Sequence, residues 1–326
     1  SNLGNLYKKQ ERYDEAEEYY LKAIELGNVD AINYLGILYE DMERFDEAEE
    51  RYKEATAKGN INAPNNLALL YKDQERYEEA EEYYLKAIEL EDVDALNNLG
   101  HLYFSQERYG EAEKRYKEAM AKGNSSALNN LGYLYQTQER YEEAEEYYLK
   151  AIELGNVDAL NNLGHLYKKQ EKYEEAEKYY LKSINLKNND STVLNNLGTV
   201  YFNQEKYEEA EKYYLKAIEL EDIEALNNLG KLYRERKRYK EAEERFKEAI
   251  FKGNSGALNE LGYLYQIQKR YEEAEKYYLK SIKLGNAVSL YNLGDLCQEQ
   301  ERYKEAEKYY LKAIELGNMN ALNNLG

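Results

Sequence analysis

A Leu-Gly dipeptide recurs along this chain at an almost constant interval. Counting Ala68, which fills the one slot without glycine, the interval is 32 residues everywhere except for 34 residues between Gly164 and Gly198. Self-similarity at this period is typical of stacked supersecondary units, each of which contacts only its neighbours. Residues 1–326 are therefore predicted to form a single solenoid of 32-residue repeats, with a two-residue insertion near 187–192. The glycines are Gly4, Gly36, Gly100, Gly132, Gly164, Gly198, Gly230, Gly262, Gly294 and Gly326.

Residues 129–152 show why each unit should be a pair of helices. Leu131, Leu134 and Tyr135 recur at the spacing of one helical face, and residues 141–152 repeat such a pattern. One proline and no tryptophan among many Glu, Lys, Ala and Leu residues agree with helices joined by short loops. The sequence therefore predicts an all-α chain.

The connections and the small residues of this unit have predictable roles. Gly155 suits the left-handed position after a helix, and Asn156 can cap the helix that follows. Gly132 on the first helix and Ala144 on the second would let the two axes approach closely. Each hairpin alone would leave an apolar face in water, so stacking is expected to be obligatory.

Charge and cysteine usage exclude several classes of function. The formal net charge is -19, and no block of Lys or Arg stands apart from compensating Glu, so nucleic acid is not an expected partner. The single cysteine, Cys297, excludes an intrachain disulfide, and it should be a small buried substitute for tyrosine. No apolar run approaches the length of a membrane span. The compartment stays open, and the chain is interpreted as part of a longer array.

The pattern resembles the tetratricopeptide repeat family. The resemblance implies a right-handed superhelical solenoid of about ten helix-turn-helix units whose first helices line a concave groove for peptides or partner proteins. The unit here is two residues shorter than is usual in the family and lacks its closing proline, and its short connecting turn resembles Sel1-like repeats. The matching residues of one unit are Leu131, Gly132, Tyr135, Tyr141, Ala144, Tyr148 and Ala151.

Variation between units points to the first helix as the place of function. The residue after the Leu-Gly pair differs from repeat to repeat, as do the residues three and four positions later, and the spacing puts all three on one face. The groove interpretation is that this face fits a ligand, and the alternative is unconstrained drift. Drift should also have changed the glutamates on either side of the packing alanine, but these are constant. The two interpretations are therefore given equal weight. Candidate groove residues are His101, Tyr133, His165, Lys231 and Tyr263.

A ladder of asparagines precedes the Leu-Gly pairs. An amide both donates and accepts, so one rung per repeat could follow the backbone of an extended peptide. Alternatively, these asparagines cap their own helix or bond to the neighbouring hairpin. Both interpretations are kept for Asn66, Asn98, Asn130, Asn162, Asn196, Asn228 and Asn292.

No pattern for catalysis or for a cofactor is present. His101 and His165 lie two periods apart without Cys or Asp at ligand spacing, and the paired glutamates have Lys or Arg three or four residues away. The chain lacks a phosphate loop, a nucleophile elbow and an HExxH motif. We therefore expect a scaffold that binds protein or peptide, without enzymatic activity, metal or cofactor.

Two other hypotheses concern what lies beyond the repeats. The chain begins and finishes at the same phase of the repeat, so its end faces could stack head to tail into an open filament. Leu3 and Tyr7 at one end, and Leu322 and Leu325 at the other, would then form the contact. The array could also be the regulatory arm of a larger protein.

Overall fold

A computed structural model describes residues 2–186 and 190–318, in which the chain forms twenty helices and no strand. The helices are α1 Asn2–Lys9, α2 Tyr13–Glu25, α3 Val29–Asp41, α4 Phe45–Ala57, α5 Ala63–Asp73, α6 Tyr77–Glu89, α7 Val93–Ser105, α8 Tyr109–Ala121, α9 Ser125–Thr137, α10 Tyr141–Glu153, α11 Asp158–Lys169, α12 Tyr173–Leu186, α13 Ser191–Asn203, α14 Tyr207–Glu219, α15 Ile223–Glu235, α16 Tyr239–Phe251, α17 Gly256–Ile267, α18 Tyr271–Lys283, α19 Ala287–Glu299 and α20 Tyr303–Glu315. The all-α repeat architecture is confirmed.

The helices pack as hairpins in two compact units, residues 1–159 and 160–326. Within each unit, an odd-numbered first helix packs on the even-numbered second helix that follows it, and each second helix packs on the next hairpin. First helices also contact one another, as α5 does α7 in one unit and α15 does α17 in the other. The first helices therefore form a layer of their own. The predicted insertion falls largely on residues 187–189, outside the described residues, and a single solenoid over residues 1–326 stays a prediction.

The turns between hairpins have the predicted chemistry. Gly155 adopts a left-handed φ of 82°, and the Asn156 side chain accepts a hydrogen bond of 3.0 Å from the backbone N–H of Ala159. The turn inside each hairpin also contains a left-handed residue, but it is a glutamate or lysine, for example Glu139 with φ 60°. A non-glycine residue in this region costs about 1–2 kcal/mol, so that turn is imposed by the packing of the two helices.

The Leu-Gly glycine lies against a buried aromatic ring of the second helix. A β-carbon on Gly132 would come 2.6 Å from the ring of Tyr148, which is fully buried. The same contact recurs throughout the described repeats that have this glycine, with Phe246 replacing tyrosine opposite Gly230. Glycine is therefore favoured at this position because the aromatic ring occupies the space that a side chain would take. One repeat is an exception, with alanine at this position, and both Ala68 and Tyr84 are fully buried there.

Neighbouring hairpins are joined by a recurring polar cluster, here called the clasp. In one example the hydroxyl of Tyr71 donates to Glu49 at 3.0 Å, and Arg76 Nη1 donates to the same carboxylate at 2.8 Å. The Arg76 guanidinium lies 4.1 Å from the centre of the Tyr71 ring and also pairs with Glu79 at 2.7 Å. Equivalent clasps centre on Glu17, Glu81, Glu113, Glu177, Glu211 and Glu243.

The last described repeat has a variant of the clasp. Glu275 pairs with Arg302 at 2.7 Å, while Cys297 takes the place of the tyrosine. Cys297 is fully buried, as predicted, and burial raises the pKa of its thiol to about 11. The thiol is therefore inert at neutral pH.

Replacing Gly132 with alanine should destabilise the chain by about 1–3 kcal/mol, because the added methyl group overpacks the Tyr148 ring. Urea unfolding measures the change. Gly110→Ala is the matched control, since that glycine has open space around its missing side chain and lies in the first turn of α8. Gly110→Ala is expected to increase the stability. A similar increase for Gly132→Ala would contradict the packing account.

Replacing Glu49 with glutamine should cost about 1–3 kcal/mol, because Lys53, Arg76 and Tyr71 lose their shared carboxylate. Burial alone would raise the pKa of Glu49, but these three hydrogen bonds outweigh it and hold the pKa below its ordinary value. The stabilisation should therefore be present at neutral pH and be lost as the pH falls through the lowered pKa of the folded chain, where the carboxylate is protonated.

The neighbouring Glu50→Gln is the control for Glu49→Gln, because Glu50 is exposed on the same helix. Its effect should stay within about 0.5 kcal/mol. Equal losses at the two positions, measured by urea unfolding at pH 7 and pH 4, would rule out the clasp as a source of stability.

Candidate functional site

The variable residues lie together on what we call the first-helix face. This face comprises the asparagine slots before each Leu-Gly pair and the positions one, four and five residues after its glycine. Tyr133 and Tyr263 expose 48% and 42% of their surface there. His101 and His165 are exposed, and Lys231 is partly buried. The structure therefore presents the five candidate groove residues on the first-helix layer of their own units.

Hydroxyl groups from the second helices reach the floor of this face. The buried tyrosine that contacts the glycine directs its hydroxyl at the residue four positions after that glycine. Tyr148 donates to Gln136 at 3.0 Å, and Tyr278 donates to Gln266 at 2.7 Å. In other repeats the partner lies one residue after the glycine, as for Tyr20 and Asn5 at 2.6 Å. The choice of residue at these positions therefore decides whether a buried hydroxyl is satisfied.

Aromatic side chains form part of the same surface. The Tyr133 ring lies 5.4 Å from the ring of Phe104, which in turn lies 5.6 Å from that of Tyr109. The Tyr263 ring stacks under the guanidinium of Arg234 at 4.9 Å. Rigid, partly exposed aromatic groups of this kind are well suited to anchor a partner side chain.

A pocket of about 420 Å³ opens on this face in the amino-terminal unit. Tyr20, Tyr34 and Ile37 supply apolar walls, while Lys8 and Lys9 stand at its edge. Tyr34 occupies a slot that holds asparagine in other repeats, which explains why the pocket is apolar at this place.

The histidines of the face are held in their neutral form. Although His101 is exposed as a residue, partial desolvation of its ring by neighbouring side chains, together with the charge of Lys72, lowers its pKa. Burial and the charges of Lys168 and Lys169 likewise lower the pKa of His165. Both imidazoles can thus donate and accept a hydrogen bond at pH 7 without adding charge. No group of three or more potential metal ligands occurs among the described residues.

The asparagine ladder makes hydrogen bonds between successive repeats. The side-chain amide of Asn66 donates to Asn33 at 3.0 Å, and that of Asn130 donates to Asn97 at 2.8 Å. The same bond is made by Asn98, Asn228 and Asn292. Contact with the neighbouring hairpin is therefore present. A peptide would have to use the second N–H and the oxygen of each amide, and peptide binding by the ladder stays a prediction.

Two further ladder residues, Asn162 and Asn196, lie in the carboxyl-terminal unit. Asn162 lies partly buried on α11, at the same slot as the others. Asn196 instead accepts a hydrogen bond of 2.7 Å from the ammonium of Lys168. Lys168 was not among the predicted site residues, although a cation four residues after the glycine was visible in the sequence.

The clasp changes the interpretation of the constant glutamates. The glutamate after each packing alanine lies between hairpins, and the glutamate before it pairs with the turn arginine, as Glu79 does with Arg76. Their constancy follows from inter-repeat packing, so it is not evidence that the variable face was selected for a ligand. The clasp glutamate is also largely shielded from solvent, because Glu49 keeps just 19% of its side chain exposed.

The predicted end-to-end contact is described only in part. Leu3 exposes 40% of its surface, whereas Tyr7 is partly buried against the ring of Tyr19 at 5.3 Å. Leu322 and Leu325 lie outside the described residues. Head-to-tail stacking therefore stays a prediction.

Comparisons with known proteins bear on the fold and the family. The tetratricopeptide repeat profile matches residues 60–122, 92–156, 123–189, 156–220, 189–250 and 255–318, and a second tetratricopeptide repeat profile matches residues 1–26. A search of curated protein sequences gave no match. The likeness of the short turns to Sel1-like repeats stays a prediction.

Several solved structures resemble the chain. PilF of Pseudomonas aeruginosa is 25% identical, with a TM-score of 0.50 over 60% of this chain and 92% of that one. Yeast Tom70 is 18% identical, with a TM-score of 0.56 over 97% of this chain and 84% of that one. A monomeric mutant of IFIT1, solved with m7Gppp-AAAA, is 15% identical, with a TM-score of 0.58 over 97% of this chain and 89% of that one.

Within the described residues, no helix combines the length and the apolar character needed to cross a bilayer. The profile matches cover well over half of the sequence, and the solved structures share its helical repeat fold. The chain belongs to the tetratricopeptide repeat family.

Proposed function

We propose that this chain is a non-catalytic scaffold whose first-helix face binds an extended segment of a partner protein. Members of its family generally mediate protein–protein interactions. The observation that carries the proposal is that the first-helix face presents partly exposed aromatic side chains, Tyr133 and Tyr263, among its variable positions.

The chemistry of the face fits a peptide. It offers partly exposed tyrosines, neutral histidines and one amide per repeat. Aromatic groups provide contact area at a small entropic cost, and amides can bond to backbone groups whatever the partner's side chains are. A net charge of -19 disfavours a nucleic-acid backbone as the ligand, even though the IFIT1 structure contains m7Gppp-AAAA.

Selection from a displayed library of random dodecapeptides tests the proposal. Peptides recovered on the wild-type chain should bind Tyr133→Ala or Tyr263→Ala at least about tenfold more weakly, because an aromatic anchor is lost. Isothermal titration calorimetry measures the affinity, and the urea midpoint should hardly change because both side chains are partly exposed.

Phe251→Ala is the matched control, since this aromatic residue ends a second helix and exposes 92% of its surface. Its affinity for the selected peptides should equal that of the wild type. Peptides that tolerate both tyrosine substitutions but lose affinity with Phe251→Ala would place binding elsewhere.

The filament hypothesis is a second candidate, favoured by the exposure of Leu3 and Leu6 at 40% and 49%. It predicts that the mass measured by light scattering grows with protein concentration and that Leu3→Lys stops this growth. A constant monomer mass would exclude it. The regulatory-arm hypothesis uses the same peptide-binding face and differs only in what is attached to the repeats.

A further inference from the structure

The cations four residues after the glycine are paired with carboxylates in most repeats that have them. Lys8 pairs with Asp41 at 2.9 Å, and Lys72 pairs with Asp73 at 3.2 Å. In the carboxyl-terminal unit, Arg234 pairs with Glu260 of the next repeat at 2.5 Å. A positive charge on the first-helix face is thus normally compensated by the chain itself.

Lys168 occupies the same position and differs. Its ammonium donates to the neutral amide oxygen of Asn196 at 2.7 Å, and it has no carboxylate partner among the described residues. His165 and Lys169 on the same helix add no negative charge, and burial lowers the pKa of Lys168. A partly buried cation without a counter-ion is costly, so its surroundings should favour an incoming anion.

Two buried polar atoms near this position also lack partners. The hydroxyl of Tyr180, which is fully buried, has no hydrogen bond, although the equivalent hydroxyl of Tyr278 bonds to the residue at the Lys168 position of its own repeat. The oxygen of Asn161 is likewise unsatisfied, because Asn196 bonds to Lys168 and does not donate to it. The ladder is therefore interrupted at this place.

The repeat with Arg234 shows what completes such a site. The ladder is interrupted there as well, since the oxygen of Asn227 is unsatisfied and Glu260 occupies the slot of the next asparagine. Glu260 supplies the carboxylate for Arg234 at the slot that corresponds to Asn196. The two repeats share the basic residue and the interrupted ladder, but a carboxylate is built into one and missing from the other, and Phe246 stands where the other repeat has Tyr180.

We propose that Lys168 and Asn196 bind the side-chain carboxylate of an Asp or Glu residue in the partner segment. This inference rests on the proposed function and specifies one residue of its ligand. The carboxylate would take the role that Glu260 plays for Arg234. A side-chain carboxylate is preferred over a phosphate group because the internal counterpart is a carboxylate and because a single lysine carries one charge.

The test uses dodecapeptides selected on the wild-type chain and compares three variants. An acidic residue should be enriched at one fixed position of the peptides. Selection on Lys168→Met or on Asn196→Glu should lose that enrichment, the latter because the new carboxylate would pair with Lys168 as Glu260 does with Arg234. Lys72→Met is the control and should keep it, since Lys72 already pairs with Asp73.

Synthetic versions of one selected peptide give the affinity. Replacing its acidic residue with glutamine should weaken binding to the wild type at least about tenfold. The same replacement should have no effect on Lys168→Met, because the two changes remove one interaction. A phosphoserine version that binds more tightly than the glutamate version would overturn the preference for carboxylate.

The stability of the free variants provides a readout that needs no peptide. Both Lys168→Met and Asn196→Glu should raise the midpoint of thermal unfolding, because each removes or compensates a partly buried charge that has no counter-ion. An unchanged or lower midpoint for both variants would overturn the inference.

If peptides that require Tyr133 or Tyr263 are recovered without acidic enrichment, the carboxylate site fails while the proposed function stands. Failure to recover any such peptide overturns both.

Discussion

The contact between the Leu-Gly glycine and a buried ring of the second helix is the constraint on which the rest of the structure depends. The ring takes the space of a glycine side chain, so the two helices of a hairpin lie close together and their relative position is set. The same ring directs its hydroxyl at the first-helix face, where Gln136 accepts from Tyr148. One packing interaction thus fixes the hairpin and places a polar group at the floor of the candidate site.

The division between constant and variable positions follows from how hairpins are joined. The clasp requires a glutamate from one hairpin with a tyrosine and a basic residue from the next, so these positions stay constant from repeat to repeat. The first-helix face contributes little to joining the hairpins apart from the asparagine ladder, which makes one hydrogen bond between successive repeats where it is not interrupted. Its remaining positions can therefore change without loss of the stack, and they can be adapted to a partner.

Much of the fold was predictable from local patterns. Helical spacing in residues 129–152, the left-handed glycine at Gly155 and the cap at Asn156 all depend on neighbours in sequence, and all are found in the structure. The exposure of Tyr133 and Tyr263 also followed from their place on the first helix. Period and spacing suffice for features of this kind because each is decided within one hairpin.

The clasp and the Lys168 site could not be predicted in the same way. Arg76 reaches Glu49 across 27 positions, and Asn66 reaches Asn33 across 33, so both contacts depend on how one hairpin rests on another. For Lys168 the informative signal is the absence of an acidic residue at the slot that Glu260 fills two repeats later. That comparison has meaning only once Arg234 is seen to bond to Glu260.

A proteolysis-based stability scan of every position in residues 60–122 most directly tests the division between constant packing positions and the variable first-helix face. We predict large losses in the free energy of unfolding at Gly100, at the clasp residue Glu81 and at the buried ring of Tyr116. Substitutions at first-helix positions such as His101 and Phe104 should change the free energy of unfolding only slightly. If substitutions at the variable face proved as costly as those in the clasp, its variation would need a structural explanation, and the assignment of function to that face would be contradicted.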